Sequence, residues 1–134
     1  MTPKNLRRLD ATEADTLKAI TDWLDLLQAQ GKLLYLRHNP STVISKMVKG
    51  KVKTAFKKVR ESQLGAADVI VFKSKRIDVT KFYHVDVCDV LCIEVKSTTG
   101  KLSPAQEQWA EKAVAQGCHY IVARSLEDVM EALK

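Results

Sequence analysis

A chain of 134 residues, 46% hydrophobic and 28% charged, is long enough for one globular domain with a proper core, here read as residues 1–134. It has no apolar run of about eighteen residues, so no membrane-spanning segment is expected. The opening MTPKNLRRLDATE has no apolar stretch of the kind a secretory leader needs, so a cytoplasmic location, in a bacterium or a phage-infected host, is expected. The formal net charge of +6 is unevenly spread: no acidic residue falls between Asp25 and Glu61, while Lys32, Arg37, Lys46, Lys49, Lys51, Lys53, Lys57, Lys58 and Arg60 do. A one-sign block of this length usually meets a polyanion, and nucleic acid is the commonest, because each neutralised phosphate releases counterions.

In chain order, DATEADTLKAITDWLDLLQAQGK reads as an amphipathic helix, with Leu17, Ile20, Leu24 and Leu27 on one stripe and Gly31 as its stop. LLYLRHNP is a short strand closed by a turn at Asn39-Pro40. STVISKMVKGKVKTAFKKVRESQLG, the basic segment, is expected to be partly helical and mobile around Gly50. ADVIVFKSK is a strand, and FYHVDVCDVLCIEVKS a second, with a possible hairpin partner before it. Ser103-Pro104 opens a helix that runs to Gly117, Pro104 taking the first helical position, where its missing N–H costs nothing. CHYIVA is a further strand, and Ser125 caps a last helix bearing Leu126, Val129, Met130 and Leu133. The closing strand–helix–strand unit is a crossover, which argues for an α/β fold with a mixed sheet flanked by helices.

Three cysteines, Cys88, Cys92 and Cys118, are too few for a disulfide framework and lack a second ligand pair for zinc, so buried thiols are expected. His38, His84 and His119 read as structural or surface residues. Tyr35, Arg37, His38 and Asn39, between the helix and the basic block, could also bind phosphate or position a substrate strand. No Ser-His-Asp or Cys-His arrangement and no glycine-rich phosphate loop is readable.

The chemistry concentrates in DVLCIEVKSTTGKLSPAQEQW. Glu94 and Lys96 stand on one face of an otherwise apolar strand, with Leu91, Ile93 and Val95 on the other. A buried charge needs a partner. Asp68 opens the strand ADVIVF, and if the two strands are neighbours, Asp68 and Glu94 converge and need a cation between them. Two carboxylates completed by water suit Mg²⁺ or Mn²⁺. A lysine beside such an ion can orient or deprotonate a water and stabilise charge on a phosphoryl oxygen, so the set describes phosphodiester hydrolysis.

The order Gly-x-x-Asp, apolar strand, Ile-Glu-Val-Lys, then LSPAQEQW resembles the VRR-NUC domain of the PD-(D/E)XK nuclease superfamily, known from phage-borne stand-alone nucleases and from part of a DNA-repair nuclease. The resemblance runs from LGAADVIVF to ARSLEDV, and IEVKSTTGKLSPAQEQW is its most specific part. It implies a restriction-endonuclease-like core, Asp68 and Glu94 as metal-binding carboxylates, Lys96 as catalytic lysine, Gln106 beside the active site and Glu13 as the first-helix glutamate. Glu13 also extends the stripe of Leu17, Ile20 and Leu24, so that a third carboxylate could aim at the same cavity. Both outlying residues have a second reading: Asp10 with Glu13, and Ser103 with Gln106, stand three apart at a helix start, as in a capping box. Trp109 reads as core. Where the superfamily has its proline, this chain has Ala67; the proline stiffens a turn and supplies no chemistry.

By the same resemblance, a metal-dependent DNA endonuclease is expected, in the favoured form a homodimer that cuts four-way (Holliday) junctions. A non-catalytic nucleic-acid-binding module on the same fold, and a flap-directed or restriction-type nuclease, are the alternatives.

Overall fold

The first helix, α1 (Glu13–Ala29), forms where its apolar residues recur at three and four, and Thr16, Ile20 and Leu24 bury that stripe. Thr12, not Asp10, caps it. The Thr12 hydroxyl accepts from the Asp15 N–H at 3.1 Å, and the Asp15 carboxylate accepts from the Thr12 N–H at 3.3 Å. Its far end closes as expected at Gly31, whose φ of +72° lets the Lys32 N–H reach the Leu27 carbonyl at 3.0 Å. These coordinates belong to a computed structural model that describes residues 12–38, 43–48, 51–56 and 63–134. Asp10 and the turn at Asn39-Pro40 lie outside those residues.

After α1 come β1 (Leu34–Arg37), β2 (Val43–Val48), β3 (Lys51–Phe56), β4 (Val69–Thr80), β5 (Tyr83–Val95), α2 (Pro104–Ala115), β6 (His119–Ala123) and α3 (Leu126–Ala132). The main sheet has the order β1-β4-β5-β6, with β1, β4 and β5 antiparallel and β6 parallel to β5. A parallel neighbour needs a crossover, and α2 supplies it, so the sheet is mixed and the α/β reading holds.

One face of the sheet presents Val69, Val71, Leu91, Ile93, Val95 and Ala123 to Ile20 and Leu24 of α1 and Val129 of α3. On the other face Ala67 and Cys92 meet Ala113 of α2, with Val90, Trp109, Cys118 and Tyr120 packed around them. Burying aliphatic side chains of this size contributes roughly 1.5–3 kcal/mol each. Trp109 is therefore a packing residue, tilted against Tyr120 at 6.3 Å between ring centroids. Of the three cysteines, Cys92 is buried and Cys118 half-buried, but Cys88 is exposed, because it lies where β4 and β5 run on beyond their neighbours.

The basic segment departs from expectation. Within it Val43–Val48 and Lys51–Phe56 are strands, paired antiparallel with Val48 opposite Lys51 and Lys46 opposite Lys53. VISKMV and KVKTAF carry Val43, Ile44, Val48, Val52 and Thr54, whose β-branched side chains favour strand over helix. The lysines disguised this by breaking the apolar pattern. Lys49, Gly50, Lys57, Lys58 and Arg60 lie outside the described residues, and so does the mobility expected at Gly50.

The turn before β4 is held against the start of α2. Gly65 has φ +77°, and a Cβ there would stand 2.2 Å from the Ala105 carbonyl oxygen. Only glycine gives this turn both its left-handed backbone and its closeness to α2. Gly65→Ala is therefore expected to lower unfolding free energy by at least about 2 kcal/mol. Urea denaturation would read this directly, and an unchanged midpoint would refute the close approach.

Candidate active site

Strand register builds the site. Val69 lies opposite Ile93, so one rung further Asp68 falls opposite Glu94. Residues directly opposed in an antiparallel pair share a face, and alternation puts both carboxylates on the α2 side of the sheet with Cys92. Asp68 is half-buried, and its Oδ2 accepts the Val95 N–H at 2.8 Å, which ties the carboxylate to the end of β5.

Glu94 is only 2% exposed. Its Oε1 accepts from Gln106 Nε2 at 2.7 Å and lies 3.7 Å from Lys96 Nζ. The same Gln106 accepts the Ser103 N–H at 2.8 Å through its own Oε1, while the Ser103 hydroxyl accepts the Gln106 N–H at 3.2 Å. The two readings of Gln106 are thus one arrangement: the capping box fixes the amide's carbonyl, and its NH₂ is left pointing at Glu94.

The electrostatics are those of a charge held against its preference. Burial, and next the Asp68 carboxylate, push Glu94 up to about 7, against the pull of Lys96. The Glu13 carboxylate adds a smaller push. Burial followed by the Glu94 and Asp68 charges also raises the Tyr120 phenol well above its ordinary range, so this ring belongs to the same neighbourhood. Burial raises the Cys92 thiol to about 11, which leaves it protonated and inert.

Three buried side-chain atoms find no hydrogen-bond partner among the described residues: Glu94 Oε2, the Tyr120 hydroxyl and His38 Nε2. Such orphans cost about 1–3 kcal/mol each, so they point to something the site receives. Hard oxygen donors, mutual repulsion and an orphaned carboxylate oxygen fit a divalent cation such as Mg²⁺ or Mn²⁺, held by Asp68 and Glu94.

The structure brings Asp68, Glu94, Lys96 and Gln106 together. Glu13 is exposed in the first turn of α1, felt at Glu94 through its charge. Among the described residues no three His, Cys, Asp or Glu side chains stand close enough to hold one ion. The expected three-carboxylate convergence is therefore a convergence of two. Arg37 pairs with Val69, which turns its side chain to the face opposite the carboxylates, where it is exposed. Lys46, Lys51 and Lys53 are on the basic hairpin. Tyr120 had no signal in the sequence: its place beside the site comes from pairing with Cys92, one alternation from Glu94.

A mixed sheet with helices on both faces, whose adjacent strands present Asp and Glu-x-Lys beneath a helix-borne glutamine, is an α/β fold consistent with a restriction-endonuclease-like core. The chain belongs to the VRR-NUC domain family, whose model matches residues 10–127, most of the chain, and it is consistent with the PD-(D/E)XK superfamily. Its function is of the nuclease class, with DNA as substrate. No curated protein and no solved structure matches the chain. Among the described residues no helix is long and apolar enough to cross a membrane.

Because Glu94's folded pKa lies above its unfolded value, its contribution to stability is present below about pH 4.5 and lost as pH rises through about 7. In metal-free buffer at pH 8, Glu94→Gln should therefore melt higher than wild type, by an amount on the order of 2–3 kcal/mol at most. The difference should shrink towards pH 5. Thermal melts at the two pH values check this, and a destabilised Glu94→Gln protein at pH 8 would contradict it.

Proposed function

We propose that this protein is a metal-dependent, structure-specific DNA endonuclease that resolves four-way junctions as a homodimer. The observation that carries the reading is Glu94, a carboxylate removed from water, fixed by Gln106, opposed by Asp68, flanked by Lys96 and left with one oxygen unpartnered. Each neighbour then has a role in phosphodiester hydrolysis. Gln106 holds Oε1 so that Glu94 cannot rotate away. Asp68, anchored on the Val95 N–H, supplies the second carboxylate. Lys96, its side chain 14% exposed, orients the attacking water through Nζ and stabilises negative charge as it grows on a phosphoryl oxygen. Mg²⁺ or Mn²⁺ bound by the two carboxylates would supply Lewis acidity and lower the pKa of that water. The basic strands bearing Lys46, Lys51 and Lys53 grip the DNA backbone.

Two features support the dimer. Resolving a junction takes two cuts, whereas the described residues offer one such carboxylate pair; a two-fold axis would supply the second site. The α2 side of the sheet also leaves apolar surface open: Leu34 and Leu36 are 64% and 63% exposed, beside a groove of about 700 Å³ that includes Leu64, Ile70, Phe72 and Trp109. Light scattering at micromolar protein should give about twice the 15.0 kDa chain mass; a single-chain mass would remove the dimer.

The catalytic test is a labelled panel of linear duplex, single strand, flap and four-way junction, each with Mg²⁺, Mn²⁺ or EDTA. Cleavage is expected with metal and best on the junction. Asp68→Ala and Glu94→Ala should abolish it with DNA binding retained, and Lys96→Ala should slow it by about 10²–10⁴-fold. Preference for the flap would make it a flap nuclease, and binding without cutting in every metal lane would make it a binding module.

A further inference from the structure

The row of opposed residues that joins Asp68 to Glu94 extends to a third strand. Arg37 lies opposite Val69, and one rung further the His38 N–H donates to the Asp68 carbonyl at 2.8 Å. His38, Asp68 and Glu94 therefore stand side by side across β1, β4 and β5. Alternation puts His38 on the face of Leu34 and Leu36, which is the face of both carboxylates.

His38 carries a second mark. Its Nε2 is buried without a hydrogen-bond partner among the described residues, and Glu94 Oε2, in the same row, is another such orphan. Two unpartnered buried polar atoms in one row, on the face that also carries Lys96, indicate a ligand that spans the row. The carboxylates and His38 do not form a three-member ion site, so the imidazole stands beside the carboxylate pair and not as a third ligand with it. What a phosphodiester bound there offers on that side is an unbridged oxygen, an acceptor matched to an imidazole N–H. Lys96 approaches from β5, and His38 lies on the opposite side, on β1, where the chain runs on into the basic strands.

We propose that His38 is a substrate-contacting residue of this site, its Nε2 hydrogen-bonded to a non-bridging phosphate oxygen of the DNA strand laid across Asp68 and Glu94. The contact rests on the nuclease reading of the same site, and it fixes the lateral position of the strand over the carboxylates. His84 and His119 have no such role: both are exposed, His84 with Arg76 and His119 with Asp89.

Two measurements on the full chain test it. In EDTA, long-range nitrogen–proton spectra of the imidazoles are followed as a short four-way junction is added. The His38 resonances should shift while those of His84 and His119, as internal references, stay in place. With metal, single-turnover cleavage by His38→Ala should fall about 10- to 100-fold at unchanged melting temperature, and His38→Gln, which returns an N–H near the Nε2 position, should recover to within about fivefold of wild type. His38 resonances that stay fixed through saturating DNA, or a His38→Ala protein that cleaves at the wild-type rate, would overturn the contact. If both variants fail to fold, the wild-type spectra decide alone. Shifting resonances in a protein that cleaves nothing would uphold the contact and sink the nuclease reading; metal-dependent cleavage with fixed resonances would do the reverse.

Discussion

A carboxylate at Glu94, out of water and opposite another at Asp68, is the constraint around which this protein is arranged. Taking such a group from water carries an effective penalty of several kcal/mol. One charge-assisted bond from Gln106 returns about 1.5–3 kcal/mol, and Lys96, at 3.7 Å, is too loosely placed to return the rest. The folded chain by itself therefore leaves Glu94 poorly compensated, as its rise to about 7 records. A positive charge placed between the two carboxylates would relieve an imbalance in this direction.

Holding the imbalance requires a stiff frame. The two strands that carry the carboxylates are covered on one face by α1 and α3 and on the other by α2, so neither can slide to relieve the repulsion. The start of α2 does two jobs. Its capping box satisfies helix-terminal donors, and the same side chain that completes the box locks Glu94. Gly65 lets the preceding turn lie against Ala105, so the strand that begins at Asp68 starts beside the helix that bears Gln106. Helix cap, turn and carboxylates are one mechanical unit.

In sequence the basic strands lie between β1 and β4, the neighbouring strands at whose ends His38 and Asp68 stand. β1 enters the sheet beside β4, reaches the level of Asp68 at His38 and then gives way to the basic strands. Arg37, on the reverse face, takes no part at the carboxylates themselves.

Much of this was legible in the residues. The helices announced themselves by three-and-four spacing and by Ser103-Pro104, Gly31 and Ser125, because each is a local pattern enforced by local sterics, and the family by the order Gly-x-x-Asp, apolar strand and Glu-x-Lys. The basic segment misled because lysines interrupt its β-branched alternation. What the sequence could not decide is which side chains share a rung. That His38, Asp68 and Glu94 form one row, that Arg37 faces away, and that Tyr120 comes up beside Cys92 all follow from register across four strands. A slip of one residue would send each to the other face. The kinds of groups in the site are a property of the chain; their convergence belongs to the sheet, since only tertiary packing, by burying one face and not the other, fixes the register.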